Sequence, residues 1–252
     1  MTPAVAAAID PVPSALAGVW QRSLIEGAGI ERDTRSTVLW LQTPSWHADL
    51  RIPPDRPDFS RCHRLDDCSG SQLRWLACQQ GFAGITEVRR EGSDTLCEWH
   101  RRIDLQPARG RPDIGRLVFG ADGNVLEEYG VGADYHETWR RLPGSGSESL
   151  GWQRLGQQRE LLLVAGAYFF FVCDRRPASH PPQDAPRLAD LLERGAATAA
   201  ELLDLELSFG RRALGTAGWT IEHSTLPWRE GSTLDLGGEW GAIENSLALV
   251  GT

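Results

Sequence analysis

Thr37-Val38-Leu39-Trp40-Leu41-Gln42-Thr43-Pro44-Ser45-Trp46-His47-Ala48-Asp49-Leu50-Arg51-Ile52 is the stretch that decides the fold. Strand-forming residues fill both sides of Pro44-Ser45, so the segment reads as two strands, 37–43 and 46–52, joined by a turn. On the second strand Ala48, Leu50 and Ile52 share one face while His47, Asp49 and Arg51 share the other. The pattern continues outward in strands at 19–26, 85–90, 96–104, 115–119, 125–129 and 135–142. Turn signals at Glu26-Gly27, Gly92-Ser93-Asp94 and Ala121-Asp122-Gly123-Asn124 space them as an antiparallel meander. One insertion breaks the series: Ser69 or Ser71 caps a short helix, Gln72 to Gln80, whose Leu73, Leu76 and Ala77 share a face and which Gly81 stops.

Residues 1–16 are rich in Ala and Pro and read as a flexible arm. Pro143-Gly144-Ser145-Gly146-Ser147 has the composition of a linker, dividing the chain into 17–142, a linker at 143–149, and 150–252. The second part carries strands near 151–157, 160–174, 203–211 and 219–224, a helix from about 186 to 194, a loop at 175–185, and a Gly-rich tail beyond Trp228. Tyr168-Phe169-Phe170-Phe171 puts aromatics on both faces of one strand, which implies burial on both sides, one of them against the first half. The expected fold is all-β with two short helices, in two consecutive antiparallel barrels. Closing a sheet removes its edges and leaves a cavity.

The chain has 252 residues and no lysine, so all 26 basic residues are Arg. Schiff-base and pyridoxal-phosphate chemistry, a P-loop lysine and a kinase lysine are thereby excluded. A net charge of -8 argues against a nucleic-acid partner. The longest apolar run, Leu161 to Val172, is too short to cross a membrane as a helix. The first ten residues lack the basic start of a secretory signal, and five cysteines make an odd number for a disulfide framework, so a cytoplasmic protein with free thiols is expected. No metal or organic cofactor is expected either. There is no His-x-Glu-x-x-His, paired Cys-x-x-Cys, Gly-x-Ser-x-Gly or strand-helix Gly-x-Gly-x-x-Gly, and Cys62-His63 with Cys68 is not spaced as a zinc knuckle. The sequence leaves the oligomeric state open.

Gly18-Val19-Trp20, at the start of the first strand, matches the Gly-x-Trp of lipocalins and the wider calycin group. There the Trp plugs the closed end of the barrel and an Arg of the final strand lies over its ring; Arg140 or Arg141 would fill that role here. The order of Tyr135-His136-Glu137-Thr138-Trp139, the linker, the apolar strand from Leu161 to Val172, Leu205-Glu206-Leu207-Ser208-Phe209-Gly210 and Gly231-Ser232-Thr233 resembles a family of tandem lipocalin-like proteins. Its named member is fungal and its role is unresolved, so the resemblance implies a fold of two lipocalin-like barrels and leaves function open. Two-barrel calycins also include cofactor-independent hydratases and cyclases acting on hydrophobic substrates.

The candidate site residues follow from strand facing. The row His47, Asp49, Arg51 has two readings: a solvated outer face with an Asp49–Arg51 ion pair, or an inward row able to bind a polar group and exchange a proton. Cys97, Trp99, Arg101 and Ile103 share one side of their strand, and His100 lies opposite. On the last strand of the first half, Tyr135 and Glu137 share the side of Trp139. A buried Glu137 needs a partner, for which Arg22 on the parity of Trp20 is the choice. Trp20 and Trp139 read as barrel structure, leaving Trp40, Trp46 and Trp99 as ligand contacts.

Three functions fit. One is binding of a small aromatic or apolar molecule with a polar group, in a barrel cavity or the cleft between barrels, through Arg22, Trp40, Gln42, Trp46, Arg51, Trp99, Arg101 and Tyr135. Another is a lyase, isomerase or hydratase using His47, Asp49 and Glu137 as acid and base. The third is a protein-interaction module with filled barrels.

Overall fold

The computed structural model describes residues 9–108, 110–146, 148–156, 159–175, 181, 187–195, 198–212 and 218–243. Eight strands pair antiparallel in chain order: β1 (Gly18–Gly27), β3 (Thr37–Gln42), β4 (Trp46–Ile52), β5 (Gln80–Glu91), β6 (Asp94–Asp104), β7 (Ile114–Phe119), β8 (Val125–Gly130) and β9 (Tyr135–Arg141). β1 pairs with β9 as well as β3, which closes them into a barrel. The added strand β2 (Ile30–Asp33), unforeseen in the sequence, folds back on the end of β1.

The closed end is built as the Gly-x-Trp resemblance implies. Trp20 is fully buried, Arg141 rather than Arg140 lies 4.2 Å over its ring, and Trp20 Nε1 donates to Leu16 O at 2.8 Å. Arg141 also donates to the carbonyls of Ala15 and Ala17. Val12 and Leu16 are buried with Trp20, so the expected flexible arm is anchored to the core of the barrel at these two positions, while Asp10, Pro11 and Pro13 to Ala15 stay exposed.

Helix α1 (Gly70–Leu76) starts at a capping box between Ser69 and Gln72 and ends four residues before the expected Gln80. Gly81 does not terminate it. It lies in β5, where an added Cβ would stand 3.1 Å from Leu207 Cδ1 of the second half.

The second half forms an antiparallel sheet of six strands in the order β14-β13-β12-β11-β10-β15: β10 (Ser149–Arg154), β11 (Glu160–Ala165), β12 (Tyr168–Cys173), β13 (Glu206–Arg212), β14 (Trp219–Ser224) and β15 (Trp240–Ala242). Where a second barrel is expected, the outer strands β14 and β15 do not pair with each other among the described residues. The run read as one strand from 160 to 174 is a hairpin turning at Gly166-Ala167. Gly166 has φ +56°, and a Cβ there would fall 1.9 Å from Gly144 O. Besides α2 (Leu188–Glu193) there is a third, unexpected helix, α3 (Ala199–Leu203), and the strand expected from Leu203 begins at Glu206. Most of the expected loop at 175–185 lies outside the described residues.

The two sheets share one apolar layer. Leu39, Leu41, Ala48, Leu50, Ala83 and Ile85 on the outside of the barrel pack with Leu161, Leu163, Phe170, Val172, Leu207 and Phe209. Phe169 and Phe171 enter a separate cluster on the far face, so the aromatic run is buried on both sides. This layer fixes the facing of β4: its apolar row lies against the second sheet, and its polar row points into the barrel.

Candidate functional site

The open half of the barrel holds a cavity of about 700 Å³. Eight of the expected residues line it: Arg22, Trp40, Asp49, Arg51, Trp99, Arg101, Tyr135 and Glu137. They come from β1, β3, β4, β6 and β9, each on an inward-facing position. The solvated reading of the His47, Asp49, Arg51 row is thereby corrected, although its Asp49–Arg51 ion pair exists inside the barrel.

The floor is aromatic. Trp40 meets the rings of Trp99 and Trp139 edge-on, both at 5.6 Å, and Trp139 lines the cavity as well as serving the barrel. Phe82, which the sequence did not single out, lies under Arg101 at 3.5 Å and Arg51 at 5.5 Å. These cation-π contacts cover guanidinium faces while leaving their edges free to bond carboxylates.

The walls are charged. Arg22 Nη1 donates to Glu137 Oε1 at 2.7 Å, which makes it the expected partner, and Nη2 donates to Asp33 at 2.9 Å. Arg51 donates to both oxygens of Asp49, at 2.8 and 3.3 Å, and to Glu137 Oε1 at 3.5 Å. Arg101 bridges Asp104 and Asp113. Its strand carries a bulge: Arg101 pairs with Gly84 and Ile103 with Ala83, so Arg102 is the extra residue and Ile103 turns outward to the shared apolar layer. The expectation that Ile103 shares the side of Trp99 fails for that reason. A neighbouring hollow of about 710 Å³ shares Trp99, Arg101, Arg111 and Asp113 with the first, so the Arg101–Asp113 pair stands between the two.

Glu128, on β8 opposite Glu137, also lines the cavity. Its Oε1 accepts from Tyr135 Oη at 2.8 Å and its Oε2 from Trp139 Nε1 at 3.1 Å. Burial first, and then the Glu137 charge, push its carboxyl up to about 8. Burial and the Glu128 charge likewise hold the Tyr135 phenol protonated. A signal for Glu128 was present in the sequence: it shares the parity of Leu126 on the strand preceding the one that bears Glu137.

Three expected residues do not line the cavity. Trp46 points outward into the shared apolar layer, where it pairs in register with Ile85. Gln42 and His47 are fully buried. Gln42 Nε2 donates to the carbonyls of Thr43 and Trp46, which turns Oε1 toward Trp40 Nε1 at 3.2 Å and Thr86 Oγ1 at 2.8 Å. An amide oxygen only accepts, so the Thr86 hydroxyl gives it its proton and in turn accepts from His47 Nδ1 at 3.0 Å. His47 is therefore the Nδ1–H tautomer, with Nε2 unpartnered among the described residues. Burial, and then Arg101, bring its pKa down to about 3. A neutral imidazole without access to the cavity does not serve there as the expected acid or base.

Among the described residues, one grouping of side chains has metal-ligand spacing: Glu87, Glu98 and His100 on the outside of the barrel. The Arg89 guanidinium, 3.1 Å from Glu98, already supplies a positive charge there. No helix is long and apolar enough to cross a membrane among the described residues.

No family model matches the chain, and neither does any curated protein or solved structure. The closed eight-stranded barrel with its second sheet is compatible with a calycin-like fold.

Proposed function

We propose that the protein binds a small aromatic or apolar molecule carrying a polar group in the cavity of its first barrel. The observation that carries this reading is the division of that cavity into an aromatic floor of Trp40, Trp99, Trp139 and Phe82 and a wall of inward-pointing charged groups. Ligand sites combine apolar surface for affinity with a few fixed polar groups for orientation, and a volume of about 700 Å³ is in the range they occupy. A closed eight-stranded barrel is compatible with this use, and the cytoplasm is the proposed location of the protein.

Titration of intrinsic tryptophan fluorescence with small aromatic compounds of differing charge tests the proposal. Binding beside Trp40, Trp99 and Trp139 should quench or shift the emission. Cys78 gives a second readout, because it is exposed and lines the cavity, so a bound ligand should slow its reaction with a thiol reagent. Absence of both effects across the panel would overturn the reading.

A further inference from the structure

Four arginines and six carboxyl side chains line the cavity, but the arginines are not evenly shared. Arg22 serves Asp33 and Glu137, Arg51 serves Asp49 and Glu137, Arg101 serves Asp104 and Asp113, and Arg111 is exposed at the rim. All contacts to Glu137 use Oε1; its Oε2 is buried and has no hydrogen-bond partner among the described residues. Glu128, 4% exposed, forms no ion pair among the described residues, and its bonds come from neutral donors, Tyr135 Oη and Trp139 Nε1. Trp99 closes the same corner: a Cβ added at Gly115 would lie 3.0 Å from Glu128 Oε1 and 3.1 Å from Trp99 Cη2.

Resting on the reading that this cavity binds a small molecule, we propose that its ligand is an organic ammonium cation, held between Glu128, the free Oε2 of Glu137 and the aromatic rings of Trp99, Trp139 and Tyr135. A cation is the one charge type that this corner lacks. A carboxylate ligand would face two carboxyl groups, because the buried guanidiniums are already engaged. A neutral alcohol would satisfy Glu137 Oε2 with one donor. An ammonium group supplies two or three donors and a charge, and electron-rich ring faces add attraction for a desolvated cation. The apolar body of the amine then lies on Trp40.

Binding is linked to a proton. The groups around Glu128 are Glu137, Tyr135 and Trp139 on β9, Arg51 on β4, Cys97 on β6 and Asp113 before β7. In the empty site at pH 7 Glu128 carries a proton, which an incoming cation displaces. Affinity for an amine should therefore rise with pH, by up to about tenfold per unit between 6 and 8, and level off above 8.

The test is calorimetric titration of the 252-residue chain with 2-phenylethylamine, 2-phenylethanol and 3-phenylpropionate, in buffers of different ionisation enthalpy at pH 7. The expected result is at least tenfold tighter binding of the amine, with release of nearly one proton. Glu128→Gln keeps the size and an acceptor oxygen and should abolish both the amine preference and the proton release. If that variant does not fold, the pH dependence of the parent protein decides. Equal or tighter binding of the alcohol or the acid, or amine binding without proton release, overturns the ammonium proposal and leaves the cavity reading standing. No binding by any of the three, with Cys78 unprotected, overturns both.

Discussion

His47 and Glu128 are buried ionisable groups whose burial acts in opposite pH directions. The ordinary value of a histidine, 6.5, falls to about 3 for His47, so below pH 6.5 the unfolded chain takes up a proton that the folded one refuses. Its contribution to stability is complete above 6.5 and is lost as pH drops, at up to about 1.4 kcal/mol per unit. Glu128 goes the other way, from 4.5 to about 8: its contribution is complete below 4.5 and is lost as pH rises toward 8. Between 4.5 and 6.5 the two slopes cancel. Urea unfolding across this range should show His47→Gln flattening the limb below 4.5 and Glu128→Gln flattening the limb above 6.5, each relative to the parent. Slopes unchanged by either variant would remove both groups from the pH dependence. The sequence identified His47 and Glu137 as inward candidates but not their standing. Tautomer and accessibility depend on Gln42 and Thr86, and the proton on Glu128 depends on a cross-strand neighbour, none of which is visible without the register.

Elements were legible where periodicity was clean and ambiguous where an interruption was only one or two residues long. The strand pair 37–52 stood out because the polar and apolar rows of β4 alternate without a break. Its facing did not, because a barrel normally puts its apolar row inside, and here the second sheet covers the outside. The alternation is the same in both cases, and only the partner of the apolar row tells them apart. The Arg102 bulge is a case of the same limit, since one extra residue sends Ile103 to the other face. Leu161 to Val172 hid a hairpin because Gly166-Ala167 is a turn made of small residues within an apolar run. Gly166 is fixed there by both conformation and space, with φ +56° and the Gly144 carbonyl 1.9 Å from any Cβ. Gly166→Ala should therefore destabilise the protein by about 2 kcal/mol or more, read from the urea midpoint, whereas Gly92→Ala shares the left-handed φ but meets no atom within 4 Å and should cost about half as much. Equal effects would mean that the approach to Gly144 contributes nothing.

Across the whole molecule, the absence of lysine gains a structural meaning from Arg175. This side chain is fully buried, and its planar fork reaches in three directions. Nε donates to Leu202 O at 2.6 Å, Nη1 to Asp104 O at 2.9 Å, and Nη2 to the Leu105 carbonyl. Leu202 belongs to the second half, whereas Asp104 ends the β6 strand of the barrel and Leu105 follows it, so a single guanidinium joins backbone of both halves. Each of these carbonyls accepts from the guanidinium at a buried or partly buried position and loses that partner if the fork is removed. A lysine keeps the charge but gathers its donors on one nitrogen, which does not span acceptors arranged around a flat fork. Arg175→Lys should lower stability by about 2–4 kcal/mol, through carbonyls left unpaired and a cation held in poor geometry. Arg35→Lys, at an ion pair whose side chains are 66% and 74% exposed, should change it by less than about 0.5 kcal/mol. Urea unfolding of the two variants beside the parent makes the comparison. An Arg175→Lys protein as stable as the Arg35→Lys protein would show that the guanidinium clamp contributes nothing to the union of the halves, which their shared apolar layer and the Gln79–Thr225 and Arg56–Glu230 contacts would then hold.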